Sequence, residues 1–344
     1  MTEKIKFKPG VGVDIGTANI VVSRQKEDGT FVNQHHRNML YPLESNDETR
    51  ELLSRSNYLY VQVEDKIYVV GEDALRLVGA LGHGEVVRPM KDGIMNPSLK
   101  QSTDLIFFII KAITGDPIVP NEPLRFTVPA NPVDQPLDNL FHKMVLTQFF
   151  TKLGYNAQPI NEAMCIAYDC NPVMKSEDGE VPLTGITISC GSGMWNIALC
   201  YKGMGLVEFS CTKSGDYLDE QVAKVTGERK SKIIRTKERI LDLTKVDATD
   251  RIQMALSIYY DELINRMLYH IDNKFKETNS AMDGDIEMVF AGGTSMAPGF
   301  IDRVKDGLKK IKSPFKVYNV RHSETPFYSV AQGACIRALA DSQK

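Results

Sequence analysis

Short apolar, β-branched runs alternate along the chain with amphipathic stretches at helical spacing. Residues 11–15 and 20–23 are two such runs on either side of Gly16. They read as a strand, a tight glycine turn and a second strand. Residues 10 to about 35 therefore predict two or three short strands. Residues 46–56 and 72–81 are helix-compatible, and residues 59–63 alternate like a strand that pairs with 67–70. Residues 98–113 predict a helix with apolar positions at 105, 106, 109, 110 and 113, and residues 124–128 a strand. Asp134 is the expected N-cap of the next helix, with Pro136 in its first turn. Leu137, Leu140, Phe141, Met144, Val145 and Phe149 then follow helical spacing as its core face.

The pattern restarts in the second half. Residues 155–160 predict a strand that runs straight into Asn161-Glu162-Ala163. Runs at 183–190, 194–201 and 204–211 predict a meander whose first turn carries Gly191 and Gly193, and residues 214–220 open a helix. Residues 249–277 predict a long helix with Ile252, Leu256, Tyr259, Leu263, Met267 and His270 on one stripe. His270 there reads as a core or boundary residue rather than a ligand. A strand at 286–291, a helix at 294–311 and a last helix near 329–341 follow. Two glycine hairpins half a chain apart, each opening strands and then helices, are the mark of a duplicated α/β unit.

Composition narrows the setting. The 344 residues are 42% hydrophobic and 25% charged, ordinary for a globular chain of roughly two domains. A net charge of −3 gives no global pull toward nucleic acid or anionic lipid. Cys165, Cys170, Cys190, Cys200, Cys211 and Cys335 form no C-x-x-C pair and no metal-ligand spacing, which points to a reducing, cytoplasmic setting. The N-terminus has no apolar signal core, and the longest obvious apolar run, 105–110, is too short to span a bilayer. Ile5 and Phe7 among lysines predict at most weak membrane contact. His35 and His36 would face opposite ways on a strand, so a solvated loop is the better reading than a shared metal. No linker-like run separates the halves, which are expected to join tightly around a cleft.

Glycines without Cβ let backbone N–H groups approach an oxyanion, as a phosphate cradle needs. An ordinary hairpin remains the plain alternative for either turn. A third glycine element ends a strand on Gly292-Gly293 and starts a helix at about Thr294, where ligands of open α/β sheets sit. Residues 228–239 carry six basic residues against two acids, which by themselves read as a solvated helix face.

These motifs together resemble the actin-like ATPases. The run DIGTAN (14–19) resembles their first phosphate loop, and ISCGSG (188–193) stands where the second falls. FAGGTSMAPGF (290–300) resembles their adenosine loop, and PINEAMCIAY (159–168) the element with the water-positioning acid. RPMKDGIM (88–95) is similar to a segment of the bacterial filament proteins MreB and MamK. Order and spacing agree along nearly the whole chain. The resemblance implies the actin, heat-shock-chaperone and sugar-kinase fold: two ribonuclease-H-like α/β halves around a nucleotide cleft. The first would span 1–155 plus 325–344 with a small subdomain at about 36–82. The second would span 156–324 with a small subdomain at about 220–285. The last helix would pack back on the first half.

The implied ligands are ATP or ADP with Mg²⁺, and the implied partner is a second copy of the chain, stacked head to tail. Cargo or adaptor is left open, and no nucleic acid is expected. Asp14 would hold a Mg²⁺-bound water, or else serve an Asx-turn. Gly16, Thr17, Ala18 and Asn19 from one loop, and Gly191, Ser192, Gly193 and Met194 from the other, would cradle phosphates. Gly215 and Asp216 at a helix start, Lys237, Glu238, Gly292, Gly293 and Thr294 complete the expected nucleotide contacts. Glu162 would orient the attacking water, or else merely favour a helix N-terminus by its charge. One departure stands out. The family's second-loop aspartate is Ser189 here, a polar pair is Met194 and Trp195, and Asn196 stands where an acid often does. Slow hydrolysis is expected. A sugar-type kinase and a chaperone-type ATPase share this fold and remain alternatives.

Overall fold

The computed structural model describes residues 6–81, 84–99, 101–170, 174–176, 179–277, 285–311 and 316–342. Ile5 lies outside them. In the first half, β1 (Phe7–Ile15), β2 (Asn19–Lys26) and β3 (Phe31–Arg37) form a meander. A small subdomain follows: β4 (Leu40–Glu44), α1 (Asp47–Arg55), β5 (Tyr60–Val63), β6 (Lys66–Val70) and α2 (Glu72–Leu81). Its three strands are ordered β4-β6-β5. The two-residue strands β7 (Met90–Lys91) and β8 (Ile94–Met95) make a hairpin. Then come α3 (Ser102–Thr114), β9 (Pro123–Val128), α4 (Leu140–Lys152) and β10 (Asn156–Asn161).

The second half opens with α5 (Glu162–Asp169) and the small hairpin of β11 (Met174–Ser176) and β12 (Gly179–Val181). Its meander is β13 (Gly185–Cys190), β14 (Trp195–Tyr201) and β15 (Met204–Cys211). Three helices follow: α6 (Gly215–Thr226), α7 (Lys230–Arg239) and the long α8 (Arg251–Glu277). The chain closes with β16 (Asp285–Ala291), α9 (Phe300–Leu308), β17 (Lys316–His322) and α10 (Ser329–Asp341).

The duplication is explicit in the sheets. One is ordered β10-β9-β1-β2-β3 and the other β17-β16-β13-β14-β15. In each, an antiparallel meander carries two further parallel strands on its first strand. Apolar side chains on α3 and α4, such as Leu105, Ile109 and Phe150, cover the first sheet. Leu218, Leu256 and Phe300 with Trp195 build the second core. A third cluster, with Ala163 and Ile166 of α5, Ala198, Val289 and Ala334 of α10, ties the halves together at the base. As expected, α10 packs on β1 and β9, but it also packs on α5.

Several expectations are corrected. β10 pairs with β9, so residues 156–161 belong to the first sheet and the halves divide at α5 rather than at 156. α4 begins at Leu140 with Asn139 before it; Asp134 instead accepts from Thr212 N at 3.0 Å and faces Arg266 at 3.5 Å. The connection is thus drawn to the second half, and the helix takes its phase from packing. Leu140, Phe141 and Met144 are exposed, whereas His142, Leu146 and Phe150 are buried. Burial pushes the His142 pKa down to about 4. On α8 the fully buried stripe runs through Tyr260 and Ile271, with Tyr259 and His270 half-buried at its edge. The expected 294–311 helix is a 3-10 turn (Gly293–Met296) and α9, broken at Ala297-Pro298-Gly299. His35 and His36 lie on β3, not in a loop.

Candidate functional site

The two glycine turns have the same local geometry. Gly16 N donates to Asn19 O at 3.0 Å, and Gly191 N donates to Met194 O at 3.0 Å. A Cβ on either glycine would sit 2.7 Å from that carbonyl oxygen, so each turn excludes a side chain. The N–H groups of Thr17, Ala18, Ser192 and Gly193 have no protein acceptor among the described residues. The Ser192 hydroxyl is buried without a partner as well. The carbonyls behind the second turn are occupied. Gly191 O accepts from Thr294 Oγ1 at 2.9 Å, and Ser192 O accepts from Asp216 N at 2.7 Å and from Ser214 Oγ. These bonds hold the peptides so that the tip N–H groups remain available, the arrangement of an anion nest.

The turns meet. A Cβ on Gly193 would lie 2.1 Å from Thr17 Oγ1 and 2.7 Å from Gly93 N. Gly93, in the β7–β8 hairpin, donates its N–H to Thr17 Oγ1 at 3.1 Å. The segment that resembles MreB and MamK thereby buttresses the first turn.

Between the halves lies a cavity of about 670 Å³. Asp14, Gly16, Thr17, Ala18 and Asn19 line it from one hairpin, and Ser189, Gly191, Ser192, Gly193 and Met194 from the other. Glu162, Lys237, Glu238, Gly292, Gly293 and Thr294 complete the expected set. Gly215 and Asp216 are the exceptions. They stand behind the second turn, where Gly215 N donates to Gly191 O at 3.4 Å. Asp216 pairs with Arg88 at 2.6 Å, on a second cavity.

The acids occupy the cavity floor. Asp14 Oδ1 accepts from Thr127 Oγ1 on β9 at 3.0 Å, which is not the bond of an Asx-turn. Glu162 is the first residue of α5, but Asn161 does the capping, its Oδ1 accepting from Ala163 N at 2.8 Å and Met164 N at 3.2 Å. Glu162 is left to face Ser189, whose hydroxyl donates to Oε2 at 3.2 Å. Burial raises the Asp14 pKa. Burial, and then the negative charge of Asp14, raise that of Glu162 against the opposing Ser189 bond. Two neighbouring carboxylates that resist ionising together are a ready seat for a cation. Among the described residues no three His, Cys, Asp or Glu side chains converge on one metal. A Mg²⁺ ion here would draw most of its ligands from phosphate and water, its usual habit. Asn196, beside Glu162, is also a crosslink, its Oδ1 accepting from Ala130 N at 2.9 Å.

At the far end, Gly292 has φ +92° and donates its N–H to Pro326 O at 2.8 Å. Tyr260 supports this loop by donating to Thr294 O at 3.1 Å. Met296, Phe327 and His35 continue the wall, with the His35 and Phe327 rings edge to face at 5.1 Å. Sequence reasoning missed His35, Arg37, Glu72 and Phe327. The signal was the alternation of β3: the pairs Asn19↔Arg37 and Val21↔His35 share the cleft face. Lys237 is tied to Asp219 at 2.7 Å, and Glu238 pairs with Arg37 at 2.6 Å.

A family model described as Volactin matches residues 10–338. The chain belongs to the Volactin family. No curated protein matches it in sequence. Among solved structures, this Volactin-family chain is similar to a MamK double helical filament, with a TM-score of 0.65 and 18% identity over 97% of this chain and 98% of that one. It is also similar to MreB 5 of Spiroplasma citri bound to AMPPNP, with a TM-score of 0.66 and 15% identity over 97% and 96%. The ADP-bound form of that protein gives 0.64 and 16% over 97% and 98%. The fold is therefore the actin-like fold. Among the described residues, no helix is long and apolar enough to cross a membrane.

Proposed function

We propose that this chain binds ATP·Mg²⁺ in the interdomain cavity, hydrolyses it slowly and assembles head to tail into filaments. The observation that carries the reading is the pair of matched glycine turns, whose four N–H groups have no acceptor among the described residues and flank two acids across one cavity. Backbone donors of this kind hold phosphate oxygens, and bound Mg²⁺ would neutralise their charge. Asp14 would hold a Mg²⁺-bound water. Glu162, which the Asn161 cap leaves free of capping, would orient the attacking water and accept its proton. Gly292, Gly293 and Thr294 meet the nucleoside. Ser189 offers a hydroxyl where relatives of this fold carry a charge, so one electrostatic group of the hydrolytic site is missing.

Assembly is supported by likeness to a MamK filament, and nucleotide binding by likeness to a protein bound to AMPPNP and to ADP. A head-to-tail contact between identical subunits propagates into an open filament. Sedimentation and electron microscopy with ATP·Mg²⁺, with ADP·Mg²⁺ and without nucleotide test both parts. ATP·Mg²⁺ is expected to raise the melting temperature by mass action and to bring the protein into the pellet. A protein that gains no thermal stability from either nucleotide would sink the reading. One that stays monomeric and phosphorylates a sugar would replace it with a kinase.

A further inference from the structure

Charges cross the cleft at Glu238, one of the expected nucleotide contacts on the cavity wall. Arg37 ends β3 on the cleft face, and all three of its guanidinium nitrogens are engaged. Nε donates to Glu72 Oε2 at 2.5 Å, within the first half. Nη1 and Nη2 donate to Glu238 Oε1 and Oε2 at 3.2 and 2.6 Å, on α7 of the second half. The next residue, Arg239, reaches back to Glu72 at 3.8 Å. Signs alternate through Glu238, Arg37, Glu72 and Arg239, so two ion pairs join α7 to the first half. The Glu72 and Glu238 side chains are 39% and 37% exposed, against 9% for Glu162, which puts this cluster at the solvent end of the cavity. Arg37 itself is 18% exposed and so partly shielded from solvent.

We propose that Arg37 is a positioning residue that clasps Glu238 across the mouth of the cavity and slows the escape of bound nucleotide. The inference rests on the nucleotide reading above and deepens it. Lys237 is anchored by Asp219, which fixes the register of α7 and aims Glu238 at Arg37. Opening the halves at this point separates Arg37 from Glu238 and Arg239 from Glu72 together. The two-oxygen grip on Glu238 needs a planar fork, which arginine has and lysine lacks. Glu72 holds the guanidinium in place before the halves meet, so little side-chain freedom is lost on closing.

The test is release of a fluorescent ADP analogue, preloaded with Mg²⁺ and chased with unlabelled ADP. Wild type, Arg37→Gln, Arg37→Lys, Glu238→Gln and the double variant Arg37→Gln/Glu238→Gln are compared at low and high salt. Arg37→Gln is expected to speed release about five- to tenfold, within the range of a partly exposed, doubly bonded pair. Arg37→Lys restores only part of that, and the double variant is no faster than the faster single one. Added salt accelerates the wild type and leaves Arg37→Gln nearly unchanged. Unchanged release in Arg37→Gln, or strictly multiplicative effects in the double variant, would overturn the clasp alone. Failure of wild type to bind the analogue overturns the nucleotide reading and the clasp with it. If Arg37→Gln does not fold, Glu72→Gln is the substitute, and it is expected to give a smaller acceleration in the same salt pattern.

Discussion

The first and second glycine hairpins share a backbone and differ in chemistry. Gly16 and Gly191 make the same 3.0 Å turn bond, and each stands two residues after the group that faces the cavity floor. In the first hairpin that group is Asp14, held by Thr127. In the second it is Ser189, which spends its proton on Glu162. Both turns present N–H donors suited to an anion, but only one carries a carboxylate. Loop shape and catalytic charge are therefore separable. A duplicated fold can keep the loop shape in both copies and carry a carboxylate in only one.

The sharpest way to break the comparison is to exchange the charge. Asp14→Asn keeps the shape and removes the carboxylate; it should cut phosphate release on the order of 10²–10³-fold, as loss of a preorganised electrostatic group does. Ser189→Ala should stay within roughly tenfold of wild type, since it removes only a neutral hydrogen bond. Equal losses from both, in a phosphate-release assay, would show that the two hairpins contribute alike.

Ser189→Asp restores symmetry and has an opposing cost. It brings a carboxylate against Glu162, whose Oε2 lies 3.2 Å from the present hydroxyl. With Mg²⁺ and ATP present, release should rise about tenfold or more. Without them, the variant should melt below wild type near neutral pH through like-charge repulsion. A variant that melts as wild type does without ligand, and turns over no faster with it, would mean that position 189 does not reach the metal.

Shape can be tested separately. Gly16→Ala and Gly191→Ala each push a Cβ to 2.7 Å from a carbonyl oxygen. Both should lose a similar amount of stability, about 1–3 kcal/mol in denaturant unfolding, because the backbone must shift by the same amount. Losses that differ widely would contradict the matched geometry.

The smallest effect is on pH. Burial raises both acids above their ordinary range, so the folded state holds protons that the unfolded chain has released. Stability without ligand should then fall as pH rises from the ordinary carboxylate range toward neutrality and above. Asp14→Asn should flatten the slope, and Ser189→Ala should not, which again separates the hairpins. A thermal melting series over pH checks this. An unchanged slope in Asp14→Asn would locate the titrating groups elsewhere.

Much of the fold was legible in the sequence. The strand, glycine and strand runs at 11–23 and 186–200, the helix expected at 98–113, which forms at 102–114, and the last helix all carry strong local periodicity. Asp14 was legible near the end of an apolar strand beside a glycine, and Glu162 through the likeness of residues 159–168 to the acidic element of the actin-like ATPases; both line the cavity. Arg37, His35 and Phe327 were not legible. Nothing in a strand's own sequence says that its polar face will meet another domain. The phase of α4 also escaped, because Leu140, Phe141 and Met144 have the spacing of a core face and yet lie outside.

Local order along the chain by itself determined the two α/β units, their glycine turns and the uncharged side chain of Ser189 at the end of its strand. Each depends on backbone sterics and side-chain type within a few residues. Only the tertiary structure decided what lies opposite those turns. It set Gly193 against Thr17, turned Glu238 toward Arg37, sent Asp216 to Arg88 and left Ser189 to serve Glu162. These pairs join residues tens to hundreds of positions apart. Their partners are chosen by the packing of two sheets across α5 and α10, and that packing depends on shape and burial summed over both halves.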